Sequence, residues 1–200
     1  MEFREVVRRR RMVRRYTSTL VDPVVVRRIL DVAASGPSAG FSQGVRFVVV
    51  TDAATRAAIA QLCDEPRYLA AGFDAWLSVA PVQVVIGVRI DDYRDRYGEQ
   101  DKLRSPGPDG WQVPFWWVDA GAALMLLLLA AVDEELAAGF IDVARPDALR
   151  RLLDIPSDVA IVGLATLGRP APDRPSGSLA RGRRPAEEVI RYEGWPGRTE

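Results

Sequence analysis

Seven arginines fall between Arg4 and Arg15, and most of them sit in the run Arg8-Arg9-Arg10-Arg11-Met12-Val13-Arg14-Arg15-Tyr16. The whole chain carries 27 basic and 27 acidic residues, a formal net charge of zero, so this excess is local. Guanidinium is a planar, permanently charged fork that grips phosphate oxygens in pairs, which makes a phosphorylated ligand the first chemistry the run suggests. The alternative is a solvated face in an arginine-biased chain, since Lys102 is the only lysine. A second basic cluster, Arg181-Gly182-Arg183-Arg184, lies in a tail rich in Pro, Gly, Ser and Arg. Between the two, Gly36-Pro37-Ser38-Ala39-Gly40 either offers hydroxyl and backbone groups to a ligand or simply turns the chain from helix to strand.

Other chemistries are restricted by composition. There is no histidine and one cysteine, Cys63, so an intramolecular disulfide and a multi-thiolate metal site are excluded and no metal centre is expected. Cys63 has no histidine to serve as its base, which leaves ordinary packing as its role. No side chain is assigned as a catalytic acid, base or nucleophile. Charge neutrality argues against a general nucleic-acid or membrane-surface binder. The N-terminus lacks an apolar signal core, and the apolar run Ala120 to Val132 falls short of the roughly 18 residues needed to span a bilayer, so a cytoplasmic protein is expected.

The elements that must position these groups follow from periodicity. Phe3, Val6 and Val7 recur at helical spacing, which predicts a short helix with its apolar side on the body and arginines at its end. Asp22-Pro23 starts a second helix with Val26, Ile29, Leu30 and Ala33 inward, ended by Gly36-Pro37. Val45 to Val50 reads as a buried strand, followed by a helix from Asp52 carrying Ile59 and Leu62 inward. A second strand spans Val82 to Val88, a third Gly139 to Val143 and a fourth Val159 to Leu167, with a short helix over Pro146 to Leu153. Residues 90–114 are charged, aromatic and Gly/Pro-rich and predict a loop whose Tyr93, Tyr97 and Trp111 either cover a flat ligand or form a surface excursion. The helix through Asp119 and Leu124 to Ala131 is apolar all round, which calls for burial at the domain centre and at a subunit interface. The tail from Pro170 reads as an arm reaching over a neighbour, with a short helix or strand over Glu187 to Tyr192.

Four blocks, in order, resemble the FMN-dependent nitroreductase family. They are Arg10-Arg11-Met12-Val13-Arg14-Arg15-Tyr16, then Pro37-Ser38-Ala39-Gly40-Phe41-Ser42-Gln43-Gly44, then Asp119 through the Leu-rich helix to Leu136 and Phe140, and Arg183-Arg184-Pro185 with Trp195 near the end. The resemblance implies an α+β fold of three layers, α/β/α, with a mainly antiparallel sheet. It also implies one domain over residues 1–200, an intertwined homodimer, residues 90–114 as a lid or insertion, and residues 170–200 as an arm over the partner subunit. By position, Arg10, Arg11, Met12 and Arg14 would hold the FMN phosphate and ribityl end, with Arg181 and Arg183 approaching from the tail. Pro37, Ser38 and Ala39 would lie against the flavin, supported by Gln43, while Ile141, Asp142 and Val143 would pass near its N5. The chain departs from the family pattern at Phe41, where asparagine is frequent, at Met12, where serine is frequent, and at Glu135 and Asp142, where glycine is frequent.

The function so implied is an oxidoreductase in which NAD(P)H reduces FMN and a flat, electron-poor acceptor is reduced in turn. Phe41, Tyr93, Tyr97, Trp111 and Phe115 are the expected pocket residues. A flavin carries such chemistry itself, so the lack of histidine is no obstacle. Two alternatives stand beside it: a flavin-consuming synthase of the 5,6-dimethylbenzimidazole type, whose members tend to carry an acidic residue at the position of Met12, and a flavin-binding protein without turnover.

Overall fold

Strand β2, Val82–Arg89, is buried along almost its whole length, and its side chains alternate between two cores. Val82, Val84 and Ile86 face one core with Val26, Ile29, Leu127 and Leu128, while Val85 faces the other with Ile59, Leu77, Leu149 and Leu164. A strand covered on both faces needs apolar residues on both, which is why its sequence reads as a continuous run. The computed structural model describes residues 1–172 and 177–195, so two parts of the expected arm, 173–176 and 196–200, lie outside the described residues.

Three further strands, β1 (Val45–Val50), β3 (Ala137–Ile141) and β4 (Val159–Gly168), complete an antiparallel sheet in the order β1-β2-β4-β3. Helices α2 (Pro23–Ala34) and α6 (Phe115–Asp133) pack on one face, and α3 (Ala53–Leu62) and α7 (Pro146–Leu152) on the other. The layers are therefore α/β/α, as the resemblance implied. Asp22 caps α2 through Val24 N–H at 2.8 Å, and Asp52 caps α3 through Thr55 N–H at 2.8 Å.

The structure corrects several sequence expectations. β1 is an edge strand, with Arg46 and Val49 exposed, so its β-branched run does not report burial on both faces. Of the apolar side of α1 (Phe3–Arg9), only Val6 is buried; Phe3 and Val7 face outward. β3 begins and ends two residues earlier than its pattern suggested, so Asp142 and Val143 lie beyond its end. A short helix, α4 (Glu65–Ala70), follows α3 unannounced because Asp64 turns the chain in the left-handed region (φ 61°) without glycine. The expected loop 90–114 opens with a helix, α5 (Asp91–Tyr97), which has acids in its first turn, arginines in its last and Tyr93 buried.

Helix α6 is 19 residues with a mean hydropathy of 2.0, long and apolar enough by length and composition to cross a membrane, although its densest apolar run is shorter. One side is buried, Asp119 against the 37–44 turn and Tyr93 of α5, and Ala120, Leu127 and Leu128 with residues of the sheet, while Trp117, Val118 and Met125 are exposed in the single chain. Its end explains Glu135. Leu136 N–H donates to Ala131 O at 2.8 Å while Glu135 takes φ 58°, the left-handed position that closes a helix and favours glycine.

Candidate functional site

Past α1 the chain becomes extended and lies along β3. Met12 forms a parallel bridge with Ala138, and Val13 N–H donates to Ala138 O at 3.0 Å. Gly139 permits this close approach, since a Cβ there would stand 2.6 Å from Val13 O and 2.9 Å from the Trp76 ring. Tyr16 locks the segment from behind through its hydroxyl, which donates to Val13 O at 2.9 Å and lies 2.7 Å from Thr166 Oγ1. Val13 and Tyr16 are buried and anchor the segment, while Arg11, Met12 and Arg14 are exposed, so the basic side chains are left outward.

The guanidiniums differ in what engages them. Arg15 pairs with Asp74 at 3.1 Å and donates to Pro172 O, and Arg14 lies over the Trp76 ring at 5.7 Å. Arg10 and Arg11 form no ion pair among the described residues, whereas Arg9 is taken by Glu5 at 2.8 Å. The base of the arm runs beside this segment, with Thr17 N–H on Arg169 O and Ala171 N–H on Arg15 O. Arg181 and Arg183 are exposed on the arm, and no hydrogen bond or ion pair joins them to Arg10 or Arg11 among the described residues.

The platform under Arg14 and Arg15 rests on Glu65, which the sequence did not single out. This carboxylate is 3% exposed and receives three consecutive amides, Trp76 and Leu77 at 2.8 and 2.6 Å and Ser78 at 3.3 Å. Successive N–H groups form an anion-binding concavity, here filled by the chain's own side chain. Arg56 and Gln83 satisfy the carbonyls of the same segment, at Ser78, Ala80 and Leu77.

The segment Pro37 to Gly44 is a strained turn. Gly40, Phe41 and Gln43 have φ of 61°, 62° and 53°, and for a bulky phenylalanine the left-handed region is costly. Asp119 Oδ2 accepts Ala39 N–H at 2.9 Å, Ser38 Oγ accepts Gln43 N–H at 2.9 Å, and Arg96 Nε donates to Gly40 O at 2.8 Å. Phe41 stands out at 72% exposure. Pro37, Ser38, Gln43 and Asp119 share the wall of a cavity of about 210 Å³.

These two halves are far apart in one chain. The turn enters the sheet at Val45, which stands level with Val88 on β2 and Ala160 on β4; the basic strand joins at Ala138, level with Leu167. Ala160 and Leu167 are seven residues apart along β4, and β1 and β3 are three strand spacings apart, placing the halves on the order of 25 Å from each other at opposite corners.

Ile141 and Asp142 border a separate cavity of about 420 Å³ with Cys63, Arg67, Tyr68 and Phe73. Asp142 Oδ1 accepts the N–H of Val143 at 2.8 Å, so that amide is engaged by its neighbour. Tyr93, Tyr97, Trp111 and Phe115 do not line either of these cavities. They pack edge-to-face on one another, Tyr97 and Phe115 with Trp111 at 5.0 and 5.1 Å and Tyr93 with Trp111 at 6.2 Å. The cluster backs the strained turn: Tyr97 lies against Gly40 and Tyr93 against Gly44. Arg96 also grips Asp101 in two places, at 2.8 and 2.7 Å, holding that carboxyl down at about 2, so the link persists until the pH falls to that range.

Burial, with Asp142, Glu65 and Asp64 nearby, pushes the Cys63 thiol up to about 12. A thiol-specific chromogenic reagent at pH 8 is therefore expected to leave Cys63 unmodified in the folded protein and to titrate one thiol after denaturation. Rapid labelling of the native protein would show the burial to be wrong.

Taken together, the fold and the two corner motifs define an antiparallel three-layer protein with an anion-ready basic strand and a rigid aromatic-backed turn. The nitroreductase family profile matches residues 7–169, and the chain belongs to that family. An NADH dehydrogenase of Thermus thermophilus is 29% identical over 172 residues, 82% of this chain and 84% of that one. A 5,6-dimethylbenzimidazole synthase of Rhodospirillum rubrum is 30% identical over 187 residues, 86% of this chain and 83% of that one. Among solved structures, an NADPH:FMN oxidoreductase from Vibrio harveyi, complexed with NAD+, is similar in fold, with a TM-score of 0.74 at 21% identity, covering 98% of this chain and 78% of that one.

Proposed function

We propose that the protein is a homodimeric, FMN-dependent NAD(P)H oxidoreductase that acts in the cytoplasm on a flat, electron-poor acceptor such as a quinone or a nitroaromatic. The observation that carries this reading is the placement of the two half-sites. A basic strand with two guanidiniums that form no ion pair among the described residues lies at one corner of the sheet, and a strained turn displaying Phe41 lies at the opposite corner. One FMN does not reach both within a chain. It reaches both where the turn of one copy meets the basic strand of another, and the exposed apolar side of α6 supplies a surface for that pairing. Family membership and the names of the relatives support the same chemistry.

The residues fit such a group. A phosphate monoester carries close to two negative charges, which Arg10 and Arg11 can balance in bidentate fashion, with Arg14 beside them and Arg181 and Arg183 brought by the arm over the partner. Pro37, Ser38, Ala39 and Gln43 supply a fixed turn for the ring, Phe41 an apolar wall, and Ile141 to Val143 the opposite margin. When bound, FMN supplies the hydride and electron transfer. The protein orients it, excludes water and admits NAD(P)H and acceptor in alternation, and no side chain needs to act as nucleophile.

The test is the visible spectrum of protein purified without added cofactor, with chromatography of whatever heat releases. FMN in the supernatant, and NADH or NADPH oxidation that depends on added quinone, is the expected result. A colourless protein that takes up no added FMN overturns the reading. The relative from Rhodospirillum rubrum favours a second reading, a synthase that consumes reduced FMN with oxygen. Appearance of 5,6-dimethylbenzimidazole from reduced FMN in air distinguishes it.

A further inference from the structure

Asp119 is a charged side chain, 7% exposed, in the second turn of α6, and among the described residues it forms no ion pair. Two donors converge on one of its oxygens. Ala39 N–H reaches Oδ2 at 2.9 Å and the Tyr93 hydroxyl reaches the same Oδ2 at 2.8 Å. Tyr93 is fully buried, and desolvation together with this hydrogen bond raises its pKa, so it stays a donor. Arg96 holds the next carbonyl, Gly40 O, from the same helix α5 that carries Tyr93. The strained residues at 40, 41 and 43 thus hang from α6 and α5 at adjacent points, and a strained turn persists only where its surroundings over-determine it.

We infer that Asp119 is a positioning residue, which with Tyr93 holds the Ser38 to Gln43 turn in the one shape that meets FMN and that displays Phe41. This rests on the flavin reading above. Because both donors use a single oxygen, the geometry makes a distinction that charge alone would not. Asparagine can place its carbonyl oxygen where Oδ2 stands and keep both bonds, whereas alanine loses both.

The experiment compares wild type with Asp119→Ala, Asp119→Asn and Tyr93→Phe, measuring FMN affinity by fluorescence quenching, the bound-flavin absorption band, and amide hydrogen exchange over residues 38–43 without cofactor. Asp119→Ala is expected to weaken FMN binding by about tenfold to a hundredfold, shift the band and lose exchange protection at Ala39. Asp119→Asn is expected to stay within about threefold of wild type on every readout, and Tyr93→Phe to fall between them. Equal FMN affinity and exchange in wild type and Asp119→Ala would overturn the inference, as would failure of Asp119→Asn to rescue. Should Asp119→Ala not fold, wild-type behaviour of Tyr93→Phe together with loss of function in Asp119→Asn overturns it. A wild type that binds no FMN brings down the flavin reading, while the exchange data still report whether Asp119 clamps the turn.

Discussion

Replacing Glu65 with alanine is expected to lower the stability of the protein by about 3–5 kcal/mol, because it takes the acceptor from three amide donors, two of them buried and one part-buried. Each such donor costs about 1–3 kcal/mol when left without a partner, and water entering the vacated space recovers part of the sum. The amides of Trp76, Leu77 and Ser78 all converge on this carboxylate, and Trp76 and Leu77 are themselves buried. For a chain of this size the loss corresponds to a thermal midpoint lower by about 6–20 °C. Glu65→Gln keeps the oxygen that accepts from Trp76, Leu77 and Ser78 but replaces the second acceptor of Ser78 N–H with an amide group, so at most about half the effect is expected. Thermal melts of the three proteins decide it; a midpoint for Glu65→Ala within about 2 °C of wild type sinks the assignment. The same variant should loosen Asp74 and Trp76, which hold Arg15 and Arg14.

Removing the guanidiniums of Arg10 and Arg11 together is expected to weaken FMN binding by about a hundredfold to ten-thousandfold while leaving the fold intact. A hydrogen bond to a charged group contributes about 1.5–3 kcal/mol, and each fork loses at least one, which at about 1.4 kcal/mol per tenfold gives that range. The fold should not notice, since Arg11 is exposed and Arg10 half-buried, and neither pairs with a carboxylate among the described residues. Titration of apo-protein with FMN, together with a thermal melt, separates the two effects. Riboflavin, which lacks the phosphate, provides the contrast: its weaker binding should be nearly unchanged in Arg10→Ala/Arg11→Ala. If FMN and riboflavin weaken alike, the phosphate is not what these arginines hold.

Much of the framework was readable because burial leaves a pattern. Val82 to Val88 and Val159 to Leu167 sit inside a sheet covered on both faces, and Asp22-Pro23 and Asp52 mark helix starts by their own capping chemistry. What escaped notice depended on contacts distant in sequence. Glu65 looks like any acid until Trp76 to Ser78 fold onto it, and Asp119 until Ala39 and Tyr93 meet it from segments 80 and 26 residues away. Helix α5 was hidden because its stability comes from buried Tyr93 and from ion pairs at Asp92 with Arg46 and Arg89, none of which produces a hydrophobic period. The aromatic residues of 93–115, read from sequence as covering a flat ligand or forming a surface excursion, pack on one another and against Gly40 and Gly44, contacts that no local pattern announces.

The corner-to-corner separation of the two motifs has a genetic consequence. In the proposed dimer every site takes its basic strand from one copy and its turn from the other, so lesions in the two motifs belong to different complementation groups. A chain lacking Arg10 and Arg11 and a chain with a collapsed 38–43 turn are each inactive alone. Co-expressed, they assemble mixed dimers in which one site inherits both lesions and the other is wholly native.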